Sequence, residues 1–233
     1  MGSCTSIFTL ADSGRPAAIR DSLPLARSII ETLINVSYIL AAGEEAAALM
    51  ERHAMQRTYR DLYRINEIAG FRVGYAASSR PDLATHPELK EALDEFTRKN
   101  GKEITSWTSL SLEERLDVIG KRFGLGTDLR LRLAFFKIYR HSSEIIHGTY
   151  YGNLYFLCGP PAARDRPNDD LAVTTLEHLV GLEHALIGAI EATMTAASEV
   201  LSSPAYAAAA RGVVNEMLKI PGMIPIINDE LGS

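Results

Sequence analysis

The segment 23–40 sets the first constraint on this chain. Leu23, Leu25, Ile29, Ile30, Leu33, Ile34, Val36, Ile39 and Leu40 put apolar side chains on nearly every side of a helix, and a helix apolar all round has to be covered by other elements. The same segment carries Arg27, Glu31 and Asn35 at i, i+4 and i+8, hence on one stripe, with Tyr38 a turn beyond. Charges taken out of water are costly unless paired or wet. The stripe must therefore face polar partners or a cleft. A chain of 233 residues, 46% hydrophobic and 23% charged, can bury a core large enough to enclose such a helix.

The punctuation of the remaining sequence is helical. Ser22 followed by Pro24 marks the start of this first helix, which runs to about Gly43. A second amphipathic pattern over 44–69 stops at Gly70, and the two are expected to form an antiparallel pair. Pro87 opens a short charged helix over 87–99, a surface excursion. Ser111 and Glu114 make an S-x-x-E capping box for a short helix to about Phe123. Gly124 and Gly126 break it before a helix over 128–147 that Gly148 ends. The aromatic run Tyr150, Tyr151, Leu154, Tyr155, Phe156, Leu157 fits either a short helix or an extended segment. Pro160, Pro161 and Pro167 make a linker near 159–169, helical periodicity spans 171–201, and Pro204 starts a last helix to about Ile220. No alternating strand pattern and no repeat is visible. The expectation is an all-α fold, an antiparallel helical bundle with five or more principal helices and a short charged helical excursion. Its organisation reads as a flexible segment 1–20, a single helical domain 21–220 and a tail 221–233.

Composition narrows the function classes. Cys4 and Cys158 are too few for a disulfide scaffold, and the first residues lack the basic start and apolar run of a secretion signal. Cytoplasm is the expected compartment. Glu31, Asn35, Glu183, His184 and Glu191 interrupt the most apolar windows, so no membrane segment is expected. A net charge of −5 disfavours nonspecific coating of nucleic acid. Basic residues do recur locally, at Arg57, Arg60 and Arg64 and again at Lys121, Arg122, Arg130, Arg132, Lys137 and Arg140, where the plain reading is a solvated helix face. There is no P-loop, no G-x-G-x-x-G and no G-x-S-x-G elbow, and no cofactor is implied.

A second polar stripe answers the first. Arg140 and His147 lie two helical turns apart with Ser143 and Glu144 between them, so all four share one face. Leu133, Ala134, Phe135, Ile138, Ile145 and Ile146 pack the opposite side. One reading is a buried ion-pair network of Arg27, Glu31, Arg140 and Glu144 that fixes helix register. A second makes His147 and Gly148 an ordinary helix C-terminus. A third uses the E-x-x-H spacing of Glu144 and His147, with Glu31, as metal ligands. A full site of that kind needs a second E-x-x-H, whereas Glu177, His178, Glu183 and His184 have the wrong offsets. No metal is assigned, and His178 and His184 are expected at the surface or in packing.

Two segments carry a resemblance: R-S-x-x-E-x-x-x-N from Arg27 to Asn35, and Y-R-x-x-S-E-x-x-H-G from Tyr139 to Gly148. Over residues 23–157, including Trp107, the chain resembles a small bacterial helical family catalogued only as a domain of unknown function (family 5677), which implies no established activity. It is more loosely similar to the HEPN class of helical bundles, many of whose active members are metal-independent ribonucleases marked by R-x(4 to 6)-H; Arg140, His141 and His147 fit that pattern at its long end. The likeness implies an RNA-processing or defence role, RNA as partner and a homodimer. Arg140 and His147 would be catalytic, supported by Arg27, Glu31, Asn35, Tyr139, His141, Ser143 and Glu144. The chemistry is coherent, because an imidazole titrating near ~6.5 can take a proton from a ribose 2′-hydroxyl and a guanidinium can hold a phosphate bidentately. The alternative is a noncatalytic helical module that binds a protein or a small polar ligand through the same face, and a metal-binding bundle comes after it.

Overall fold

The computed structural model describes residues 2–12, 18–150 and 168–218. These form eight helices and one hairpin, so the fold is all-α apart from two short strands. The chain divides into two compact units, one of residues 1–41 with 112–233 and one of residues 42–111.

The first unit is a helical bundle. Its elements are α1 (Gly2–Asp12), α2 (Ala18–Ala42), α5 (Leu112–Phe123), α6 (Leu125–Ile146), α7 (Asn168–Val200) and α8 (Pro204–Leu218). Contacts run α5 to α6, α6 to α7 and α7 to α8. Its core draws Ala26, Ile30 and Ile34 from α2, Leu116 and Ile119 from α5, Leu131, Ala134 and Ile138 from α6, and Leu182, Ala189 and Ala192 from α7. These positions recur every third or fourth residue, which is why each helix presents one sealed stripe. Ile7 of α1 is also sealed, at 1% exposure, within the segment 1–20 that the sequence marks as flexible.

Two helix starts differ from the sequence expectation. α2 begins at Ala18 rather than at a Ser22 cap, because Ala18 and Ile19 are themselves buried. Ser22 is fully enclosed within the helix and Pro24 lies inside it. α6 begins at Leu125, with Gly124 at its N-cap in a left-handed conformation (φ 80°). The all-round apolarity of α2 translates into full burial of only one stripe, and Val36 stays 41% exposed. By length and composition alone α2 would also be long and apolar enough to cross a membrane. In this structure Ala26, Ile30 and Ile34 belong to the bundle core.

The second unit contains α3 (Glu44–Asp61), β1 (Tyr63–Ile68), β2 (Phe71–Ala76) and α4 (Pro87–Glu95). Here the structure corrects the sequence reading twice. The helix expected over 44–69 ends at Asp61, and its last part is the first strand of an antiparallel hairpin running from Tyr63↔Ala76 to Ile68↔Phe71. Ala69 (φ 51°) and Gly70 (φ 82°) supply the paired positive φ angles of a two-residue hairpin turn. Gly70 therefore turns a hairpin instead of stopping a helix. The first two long helices, expected to pair, belong to different units, and within its own unit α3 contacts α4 and β1. Pro87 does open α4, at its first turn. Ala46, His53 and Gln56 of α3 are buried, as are Leu89, Ala92 and Phe96, and the rings of His53 and Phe96 meet edge-on at 4.8 Å. The aromatic run after Tyr150, the expected 159–169 linker up to residue 167 and the 221–233 tail lie outside the described residues, and residues 168 and 169 already belong to α7.

Candidate functional site

The polar stripe of α2 finds partners on α5 and α6. Arg27 Nε donates to Glu31 Oε1 at 2.8 Å, its Nη2 donates to the Tyr139 hydroxyl at 3.0 Å, and its guanidinium carbon lies 4.1 Å from the centre of the Tyr139 ring. One arginine thus ties α2 to α6 by a hydrogen bond and a cation–π contact, while its ion pair stays within α2. A turn further along α2, Asn35 Oδ1 accepts from the guanidinium of Arg115 on α5. Burial lowers the pKa of Arg115 from the ordinary arginine value, while Glu31, Tyr38 and Tyr139 act in the opposite direction. A polar cluster of Arg27, Glu31, Asn35, Arg115 and Tyr139 results. Arg140 and Glu144, expected in that network, have no hydrogen bond to it. The Glu144 carboxylate accepts from the Thr149 hydroxyl at 2.6 Å.

The end of α6 is built by backbone geometry. His147 is the C-cap, Gly148 follows at φ 61°, the Gly148 N–H donates to the Ile145 carbonyl at 2.9 Å, and the Thr149 N–H donates to the Glu144 carbonyl at 3.1 Å. This crossed pair is a Schellman ending, in which glycine takes the left-handed position without a Cβ penalty. His147 itself is exposed.

Arg140 opens onto a different feature, a cleft of about 660 Å³ between α6 and α7 with the start of α2 at its edge. Tyr139, Arg140 and His141 line it together with Lys137, and α7 contributes Glu177 and His178. His147 is not part of the lining. Burial pushes the His141 imidazole below its ordinary pKa; His178 and Arg140 add to that effect and Glu144 opposes it. His141 is half-buried whereas Arg140 is exposed, so a guanidinium stands at the mouth and an imidazole further in. Ser143 is half-buried on α6 between this cleft and the helix end. Tyr139 belongs to both features, since its ring lines the cleft and its hydroxyl holds Arg27.

A family model described as Family of unknown function (DUF5677) matches residues 1–158. The chain belongs to that family. No curated protein and no solved structure matches the chain. The part matched to DUF5677 takes in both polar stripes and ends before α7, so His178 and Glu177 reach the cleft from outside the matched residues.

Most of the basic residues that stood out in the sequence are paired within their own unit. Arg122 meets Glu199, Arg130 meets Glu191, and Arg132 meets Asp117 and Asp128. Arg57 and Arg64 both reach Glu103. Glu199, Glu191 and Glu103 come from distant sequence, whereas Asp128 lies one turn before Arg132 on the same helix. Among the described residues, no three His, Cys, Asp or Glu side chains cluster in a way that could hold a metal ion. Two participants escaped the sequence reading. Arg115 sits in a charged stretch that resembles a solvated face, and His178 was set aside because it stands six residues from His184. Only its three-dimensional position, near His141, distinguishes it.

Proposed function

We propose that this DUF5677 member is a HEPN-like, metal-independent ribonuclease whose reaction takes place in the α6–α7 cleft. The observation that carries the reading is the pairing of Arg140 with His141 along one wall, near His178 on the other. In the proposed reaction the neutral His141 imidazole removes the 2′-hydroxyl proton, O2′ bonds to phosphorus, and the bond from phosphorus to the 5′-oxygen breaks. His178, as general acid, gives a proton to that leaving oxygen, and the other product end is a 2′,3′-cyclic phosphate. Arg140 neutralises the charge gathering on the phosphate oxygens. The lowered pKa of His141 suits a base, because burial favours its neutral form. His147 satisfies the R-x(4 to 6)-H spacing with Arg140 and competes for the same role from the exposed helix end.

The test is cleavage of varied RNAs by the purified protein in the presence of a chelator. His141→Ala and Arg140→Ala should each lower the rate by on the order of 100-fold or more, as loss of an acid–base or charge-stabilising group does, with the helical circular dichroism signal intact. A His147→Ala variant run alongside assigns the base: loss there with His141→Ala unaffected moves the chemistry to the helix end. Absence of cleavage by the wild-type protein on every RNA sinks the reading, and loss of cleavage on chelation transfers it to a metal. A noncatalytic binding module is the second reading, and Phe136 favours it. This side chain lines the same cleft and is 78% exposed, as an anchor for a protein or small ligand would be.

A further inference from the structure

The hairpin of the second unit poses a problem of its own. An isolated two-stranded hairpin is marginal in water, and here all six residues of β2 are exposed, including Phe71 at 73%, Val73 at 55% and Tyr75 at 62%. Register assigns the faces. Ile68↔Phe71, Asn66↔Val73 and Arg64↔Tyr75 lie on one side, so three large apolar β2 side chains stand in a row on the same face. The two-residue turn makes Ile68↔Phe71 a hydrogen-bonded pair, and the Ala77 N–H donating to the Leu62 carbonyl at 2.7 Å keeps the same parity. It follows that the backbone groups of Arg72, Gly74 and Ala76 point away from β1, along an edge that no other described strand occupies.

We propose that β2 pairs antiparallel with β2 of a second copy of this chain, about a two-fold axis at Val73. In that register Val73 faces Val73 of the other copy, Phe71 faces Tyr75 twice over, and Arg72 faces Gly74. The outward-pointing backbone groups of Arg72 and Gly74 then meet as a hydrogen-bonded pair. The sequence of β2 selects this centre. An axis at Arg72 opposes two like charges, which destabilises a sheet, and an axis at Gly74 sets Phe71 against Ala77, past the end of the strand. Charge points to a second copy rather than to nucleic acid or an anionic membrane. Arg72, the sole charge in β2, stands opposite Glu67, and Arg64 is paired with Asp61 and Glu103. The patch therefore offers no excess of cations. Aromatic side chains present roughly 150–250 Å² each, so the paired strands bury several hundred Å², the low end for a specific interface. A weak dimer that assembles with rising concentration is the consequence. The proposal stands apart from the ribonuclease reading and draws on no residue of the cleft.

Sedimentation velocity of the full chain from low to high micromolar concentration should show a reversible monomer–dimer equilibrium. Val73→Lys places two ammonium groups across the axis and should weaken dimerisation on the order of tenfold or more, with unchanged circular dichroism. In a background with Cys4→Ser and Cys158→Ser, Val73→Cys should form an intermolecular disulfide under mild oxidation. Facing Cα atoms in a non-hydrogen-bonded pair are ~4.5 Å apart, within disulfide reach. Glu67→Cys, on β1 and the other face, should not cross-link. A wild-type chain monomeric at every concentration overturns the proposal. So does Val73→Cys cross-linking no better than Glu67→Cys, or a dimer indifferent to Val73→Lys. Should Val73→Lys fail to fold, the cysteine pair still decides.

Discussion

Arg115 shows how much of this protein depends on where single side chains end up. It lies partly buried, bonded to Asn35 and within the field of Glu31 and two tyrosines. Removing it strands polar groups that water no longer serves, so Arg115→Leu and Asn35→Leu should not add. Urea unfolding of both single variants and the double should give a coupling of about 0.5–3 kcal/mol, the range for side chains sharing a hydrogen-bond network. Additivity would show that the two groups act independently. His53 makes the complementary case. It is buried against Phe96, and desolvation lowers its pKa, with Arg57 adding to the effect and the backbone of Ile104 and Thr105 opposing it. A histidine with its folded pKa below the unfolded value of ~6.5 is protonated more readily in the unfolded chain. Its contribution is complete above that value and declines as pH falls through it toward the folded pKa. Unfolding of the second unit should thus become easier from about pH 6.5 downward, and His53→Phe should flatten that limb in urea titrations repeated across pH. The Arg27, Glu31, Asn35 stripe was legible from i, i+4 spacing. Its partner Arg115 was not, because a charge that reaches a buried acceptor has the same local sequence signature as one that reaches water.

At the level of elements, some helix boundaries were legible, and they can be tested singly. Gly148 carries a left-handed φ of 61° with open space where a Cβ would go, so Gly148→Ala should cost only the conformational penalty, ~1–2 kcal/mol. Thermal or urea unfolding reads it directly, and a neutral effect would show that α6 frays there. Pro87, Ser111 and Gly148 marked boundaries near those observed because caps and breakers act through local backbone geometry. The hairpin escaped for a physical reason. Arg64, Glu67 and Ile68 continue the amphipathic pattern of α3, and a glycine after a helical pattern looks the same whether it ends a helix or turns a strand. The β-forming Tyr63, Ile65, Val73 and Tyr75 were the available signal, and they straddle that glycine on both sides. Ser22 and Pro24 misled in the opposite sense, since Ile19 and Ala18 extend α2 past a cap that tertiary packing made unnecessary.

Across the whole molecule, each unit carries its own buried side chains, and stability need not be shared between them. Phe96→Ala removes the largest apolar side chain buried around α4 and should cost about 3–5 kcal/mol. That loss should fall on residues 42–111, visible by hydrogen exchange as faster opening of α3 and α4 amides while α6 and α7 keep their protection. Equal loosening everywhere would show that the chain unfolds as one cooperative body. No composition shift or glycine-rich joint flanks residues 42–111, which is why a single helical domain was the natural reading of the sequence. Membership in DUF5677 leaves chemistry open, and the cleft supplies the physical content. Tyr139 gives that cleft a mechanical property. Its ring forms part of the wall while Arg27 grips its hydroxyl and stacks on its face. An occupant that swings the ring must therefore break an anchorage on α2, and one that leaves the ring in place inherits a wall already stiffened. For the ribonuclease proposed above, cleft occupancy and α2 registry become thermodynamically linked quantities, so that loosening Arg27 should soften RNA recognition without deleting Arg140, His141 or His178.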